Sequence, residues 1–110
     1  MNHDLDLKAQ VKQILKLVQD VAPGRSVELR IPPFAAIQCV GGSTHRRGTP
    51  PNVVEMSAET LLKLLDNPVK WQQYCDLGSI SASGTNSNLG NLFAEVSKLM
   101  NSEVRSENGE

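Results

Sequence analysis

The chain has 110 residues, 39% of them hydrophobic, and a formal net charge of -1. One domain with a small, mainly aliphatic core follows from that size, since only Phe34, Trp71, Tyr74 and Phe93 are aromatic. The near-neutral charge argues against a general nucleic-acid or membrane-surface binder, which needs a basic excess. No apolar run approaches the roughly 18 residues of a membrane-crossing helix, so no integral membrane association is expected.

The first predicted element is an amphipathic helix. Leu7, Val11, Ile14, Leu15 and Val18 recur at helical spacing, with Lys8, Lys12, Lys16 and Gln19 opposite. Asp4 and Asp6 favour its start through the helix dipole, and Pro23-Gly24 ends it. The lysine face reads as a solvated helix surface. Ser26 to Ile31 then alternates, with Val27, Leu29 and Ile31 on one side and Glu28 and Arg30 on the other, which is the pattern of a half-buried strand. Pro32-Pro33 breaks it. Phe34 to Val40 follows as a more fully buried strand, and Asn52 to Met56 as a third. Three successive strands are most simply an antiparallel meander, with Val27 to Ile31 as an exposed-edge candidate.

Ser57 is a good N-cap for the next helix, whose apolar side is Leu61, Leu62, Leu64 and Leu65. Pro68, after Asn67, opens a short helix that turns Trp71, Tyr74 and Cys75 inward and stops at Gly78. Ser79 to Ser83 alternates as a fourth short strand, closed by Gly84. A last helix runs from about Ser87 to Met100, with Leu89, Leu92, Phe93, Val96 and Leu99 on one face. The polar, aperiodic stretch after it reads as disordered. Residues 1–100 therefore form one domain and residues 101–110 an acidic disordered tail. The fold class is α+β, a small antiparallel sheet of about four to five strands with helices packed on one face.

The N-terminal Met1-Asn2-His3-Asp4 is polar and acidic, unlike the cationic and then apolar start of a signal peptide, so a cytoplasmic chain is expected. Cys39 and Cys75 lie in apolar surroundings without zinc-type spacing. They read as buried thiols, with a single disulfide as the alternative. His3 and His45 are the only histidines, too few for a histidine-based metal triad, and no metal or cofactor is expected.

The segment Gly41-Gly42-Ser43-Thr44-His45-Arg46-Arg47-Gly48-Thr49-Pro50-Pro51-Asn52 is longer than a hairpin requires. Arg46 and Arg47 can bind carboxylate or phosphate with two donors each, and the glycines let backbone N–H groups approach an anion. His45, Arg46, Arg47, Thr49 and Asn52 are the candidate polar contacts. The alternatives are that the arginines pair with Glu28 or Glu55, or meet a partner chain. It is not a phosphate-binding P-loop, because the Gly-Lys-Ser/Thr ending is missing. Catalysis has little support: His45 could serve as base and Ser43 or Cys39 as nucleophile, but no spacing places one on the other. No catalytic residue is assigned, and the chain is read as a non-enzyme.

Two stretches, Val53-Val54-Glu55-Met56-Ser57-Ala58-Glu59-Thr60-Leu61 and Gly78-Ser79-Ile80-Ser81-Ala82-Ser83-Gly84, resemble the sterol-carrier-protein family in their element order. Where many members follow the second glycine with aspartate, this chain has Thr85-Asn86. Arg30 to Val40 and the string Arg47-Gly-Thr-Pro-Pro-Asn-Val-Val-Glu55 resemble an actinobacterial branch of that family, over roughly residues 26 to 97. Related domains there follow a mycothiol-dependent, metal-binding helical domain of the maleylpyruvate isomerase type. The resemblance implies a non-catalytic module that binds a small apolar or amphipathic molecule.

The expected apolar wall is Ile37, Leu61, Leu65, Trp71, Leu92, Phe93 and Val96, or else these side chains form an ordinary closed core. An empty tunnel of about 300 Å³ would cost roughly 7 kcal/mol, against a domain stability of about 5–15 kcal/mol. Any pocket is therefore small, filled by ligand or completed by a second subunit. The alternative function is an oligomerisation or partner-docking module without a small ligand, for instance a homodimer through the Pro-Pro loop.

Overall fold

Helix α1 (His3–Val21) buries the stripe that its periodicity predicts: Val11, Ile14, Leu15 and Val18 are no more than 3% exposed. The computed structural model describes residues 3–42 and 52–109, with side chains described over 5–42 and 52–102. Lys8, Lys12 and Lys16 are exposed, and Lys16 meets Asp20 at 3.5 Å one helical turn on, a solvated pair that adds little stability.

Strands β1 (Val27–Ile31), β2 (Ala35–Cys39), β3 (Asn52–Met56) and β4 (Ile80–Ser83) form one sheet in the order β2-β1-β3-β4. Between β3 and β4 come α2 (Ala58–Asp66), a 3-10 turn (Pro68–Lys70) and α3 (Trp71–Asp76); α4 (Gly90–Gly109) closes the chain. The fold is α+β, as the element pattern predicts, but the meander is not what forms. β1 pairs with β2 antiparallel through a short turn in which Phe34 N–H donates to Ile31 O at 2.9 Å. β3 then pairs with β1 in parallel, Val27 opposite Asn52, and β4 returns antiparallel to β3.

That topology explains why the segment before Asn52 is not a tight hairpin. The chain leaves β2 beside the start of β1 and re-enters as β3 on the other side of it. It must therefore cross two strand spacings, about 10 Å, which no two-residue hairpin can do. It also corrects the expectation of an exposed edge at Val27 to Ile31. β1 is interior, and among the described residues β2 and β4 are the edges.

Among the described residues, one sheet face is covered and the other open. The covered row Ile37, Leu29, Val54 and Ala82 is set by register, and its central members Leu29 and Val54 are fully buried. On the open face the corresponding row is Ala36, Arg30, Glu55 and Ser81. There Arg30 Nε lies 3.9 Å from Glu28 and 3.6 Å from Glu55, so both carboxylates considered as partners for the loop arginines already have a cation beside them. α1 packs on β2 and on α4, and α4 packs on α2.

Ser57 caps α2 as expected, its Oγ accepting from Thr60 N–H at 3.1 Å. α2 buries Leu61, Leu64 and Leu65, and Ser97 Oγ of α4 donates to Leu65 O at 2.7 Å, tying the two helices together. α4 continues through Gly109, where the sequence reading ends the helix near Met100. No proline interrupts 101–109, and extending an established helix costs far less than starting one, so polar residues without periodicity can continue it.

Gly24 occupies a left-handed backbone conformation at φ +149, and a Cβ there would lie 2.2 Å from Val40 O. The backbone at both positions would have to separate. Gly24→Ala is expected to destabilise the chain by more than about 1 kcal/mol in urea unfolding, whereas Gly78→Ala, which meets nothing within 4 Å but also has positive φ, should show only the conformational penalty.

Candidate functional site

Ser26, immediately before β1, gathers both ends of the long crossing segment. Its N–H donates to Val40 O at 2.9 Å and its Oγ donates to Gly41 O at 3.3 Å. Its carbonyl accepts from Asn52 Nδ2 at 2.9 Å. Asn52 Oδ1 in turn accepts from Asn86 N–H at 3.0 Å, which attaches the turn after β4 to the same node. Ser26 and Asn52 are 6% and 3% exposed, so the bond between them is shielded from water and matters more than a surface one, while those to Gly41 and Asn86 are part-buried.

Val40 carries the tension of this arrangement. It has φ 66, a left-handed conformation that a β-branched side chain adopts at a cost of about 1–3 kcal/mol. Its N–H donates to Ala22 O at 2.7 Å while its carbonyl serves Ser26, so two bonds on opposite sides hold it there.

Beside this node lies an open groove of about 570 Å³, within the usual range for small-molecule sites. Ala22, Val40, Leu89 and Leu92 supply its apolar surface, and Thr85, Asn86 and Asn88 its polar side, with Gly41 at the start of the crossing segment. The turn that presents the polar residues is held locally: Ser87 Oγ donates to Gly84 O at 3.0 Å, and Asn88 Oδ1 accepts from Gly90 N–H at 2.9 Å. The arrangement combines a greasy strip with amide and hydroxyl groups, a surface suited to a molecule with one apolar and one polar end.

The residues singled out from sequence fall into three groups. His45, Arg46, Arg47 and Thr49 lie outside the described residues. Asn52 is described, and both ends of its amide are engaged by Ser26 and Asn86. Of the apolar set, Leu61, Leu65, Trp71, Phe93 and Val96 are buried in the main core, with Ile37 packed against it. Trp71 and Phe93 stack there with ring centroids 6.3 Å apart and an interplanar angle of 23°. Leu92 alone of that set lines the groove beside Gly41.

Sequence reasoning missed Ser26, Thr85, Asn86 and Asn88. One signal was present: Asn52 alternates in phase with Val54 and Met56, so it had to be a buried amide in need of partners.

Other openings exist. One of about 460 Å³ lies among α1, α2 and the middle of α4, between Ile14, Leu17, Leu62 and Met100. Two more flank α3. Neither cysteine forms a disulfide. Cys39 is fully buried, and burial pushes its thiol from 9.0 up to about 11, the reverse of an activated nucleophile. Burial, and secondarily the adjacent Asp76, raises the Cys75 thiol as well. Among the described residues no group of three or more histidine, cysteine, aspartate or glutamate side chains could hold a metal, and no helix is long and apolar enough to cross a membrane.

Residues 4–94 match the model of a protein family described as bacterial SCP ortholog. The chain belongs to this sterol-carrier-protein-like family. No curated protein matches the sequence. Among solved structures, the SCP-like chain is similar to one titled UbiJ-SCP2 ubiquinone synthesis protein, with 14% identity, TM-score 0.50, and coverage of 92% of this chain and 96% of that one. At that identity the likeness speaks to the fold, and it agrees with the mixed sheet and its helical cover.

The node makes a sharp prediction for this SCP-like domain. Asn52→Ala removes partners from the Ser26 carbonyl and the Asn86 N–H together, and is expected to cost about 1–3 kcal/mol in urea unfolding. In NMR spectra the loss should shift the amides of Ser26, Gly41 and Asn86 while leaving α2 unchanged.

Proposed function

We propose that this chain is a non-catalytic, carrier-type binding module for a small amphipathic or apolar molecule, held in the groove beside Gly41. The observation that carries the reading is the lining of that groove. It brings the start of the basic segment (Gly41), the turn bonded to its end (Asn86), and an apolar strip of Val40, Leu89 and Leu92 to one place. The apolar part of the ligand lies on the strip. Its polar end meets Thr85 and Asn88 and the segment that carries His45, Arg46, Arg47 and Thr49, whose guanidinium groups suit a carboxylate or phosphate. Membership of a sterol-carrier-like family supports the apolar-ligand part of this reading. Strain at Val40 supports the location, since strained backbone concentrates at ligand-binding positions.

The non-catalytic part rests on chemistry: the buried Cys39 thiol has its ionisation suppressed rather than promoted. Free thiols at Cys39 and Cys75 fit a reducing compartment, and we place the chain in the cytoplasm. Kinship with the actinobacterial branch, and with domains that accompany a helical metal-binding domain of the maleylpyruvate isomerase type, rests on the strings Arg30 to Val40 and Arg47 to Glu55.

The test is a titration with dodecanoate and with the uncharged dodecanol, followed by NMR. Leu92→Lys places a charge on the apolar strip and should weaken both ligands by about tenfold or more. Arg46→Ala combined with Arg47→Ala should weaken dodecanoate several-fold and leave dodecanol unchanged. Failure of the unaltered chain to bind either compound, or binding indifferent to Leu92→Lys, would refute the assignment.

A further inference from the structure

Three polar side chains border the groove beside Gly41: Thr85, Asn86 and Asn88. No charged side chain is among its described lining residues. The three differ in whether their hydrogen-bonding character is settled. A threonine hydroxyl turns to donate or to accept as its partner requires. Asn86 is tied through its backbone N–H to Asn52, and among the described residues no hydrogen bond holds its side-chain amide. That amide can therefore offer either its oxygen or its nitrogen.

Asn88 is different. Its Oδ1 accepts from Gly90 N–H at 2.9 Å, at the start of α4. An N–H can be met by the amide oxygen but not by the amide nitrogen, so this bond fixes which way the group is turned. The oxygen is taken up by the helix, and Nδ2 with its two hydrogens is left for a partner. Gly90 leaves room for this seat. A Cβ there would stand 3.2 Å from Asn88 Oδ1 and 3.4 Å from Trp71 Cβ, so any larger residue would crowd the amide.

From this geometry we propose that Asn88 is a specificity-determining residue of the groove. As a fixed donor it selects amphiphiles whose polar end is a hydrogen-bond acceptor, anions above all, and rejects those that end in an ammonium group. The inference rests on the carrier reading of this groove. A carboxylate or phosphate oxygen accepts from Nδ2 in a charge-assisted bond. An ammonium has donors only, finds no acceptor at Asn88 and meets no carboxylate among the described lining residues, so its lost hydration goes uncompensated. Asn88 also borders the two openings that flank α3. It is exposed at the corner where these meet the groove, a place for the polar end of a ligand whose chain lies on Val40, Leu89 and Leu92.

The experiment compares dodecanoate, dodecanol and dodecylammonium on the unaltered chain and on Asn88→Asp. Aspartate keeps an oxygen for Gly90 N–H and caps a helix as well as asparagine does, so the fold is retained, which urea unfolding checks. What changes is the remaining group, from an N–H donor to a carboxylate oxygen. The unaltered chain should bind dodecanoate more tightly than dodecylammonium. In Asn88→Asp, dodecanoate should weaken about fivefold or more, dodecylammonium should tighten by a similar factor, and dodecanol should move less than about twofold. Dodecanoate should also shift the side-chain NH2 resonances of Asn88 more than those of Asn91, which is not among the groove's lining residues. An equal change for all three compounds would show that the side chain only shapes the groove, and would overturn the proposal. Unmoved dodecanoate affinity in the folded variant, with Leu92→Lys still weakening it, would overturn it while leaving the carrier reading intact. Failure of the unaltered chain to bind any of the three would remove both.

Discussion

The architecture turns on one buried polar node. Ser26 bonds to Val40, Gly41 and Asn52, and Asn52 bonds onward to Asn86, so a serine and an asparagine join the ends of β2 and β3 and the turn after β4. Without the node, nothing in the apolar pattern decides whether the third strand lies beside β2 or beside β1. Hydrophobic alternation specifies which face of a strand is buried but not which neighbour it takes. The node sets Val27 opposite Asn52, and the rest of the parallel register follows from it.

The same constraint places the groove. Pinning both ends of the crossing segment beside the start of β1 brings Gly41 next to the turn that carries Thr85, Asn86 and Asn88. Gly24 makes room for the Val40 carbonyl, and Val40 accepts a left-handed conformation to serve Ala22 and Ser26 at once. Backbone strain, the topological crossover and the amphipathic surface are therefore parts of one arrangement. Meanwhile the core behind it is closed: Trp71 stacks on Phe93, and Leu61, Leu64 and Val96 are fully buried. An apolar ligand has room at the surface of this small domain rather than in a tunnel through it, consistent with the cost of keeping a large dry cavity open.

Much of the local structure was legible. Helical spacing from Leu7 to Val18 marked the buried stripe of α1, Ser57 marked the start of α2, and Pro68 and Gly78 bracketed the short helical segment before β4. Strand order was not legible. The parallel pairing depends on hydrogen bonds between residues distant in sequence, of which the chain shows only a polar residue in an inward phase. The apolar wall illustrates a second limit. Periodicity separates buried from exposed positions, but Phe93 and Leu92 are adjacent on the same helical pattern, and only packing reveals that one fills the core while the other borders a groove. The route of the segment before Asn52 was likewise not legible: only the pairing of β3 with β1 shows that it crosses a strand, a span of about 10 Å that needs about three extended residues.

The most direct measurement of the central claim is a set of intermolecular NOE spectra between isotope-labelled protein and bound dodecanoate. Contacts from the alkyl chain to the methyl groups of Val40, Leu89 and Leu92 are the predicted result. Contacts instead to Ile14, Leu17, Leu62 and Met100 would move the ligand to the opening among α1, α2 and α4, and would contradict the assignment of the groove beside Gly41.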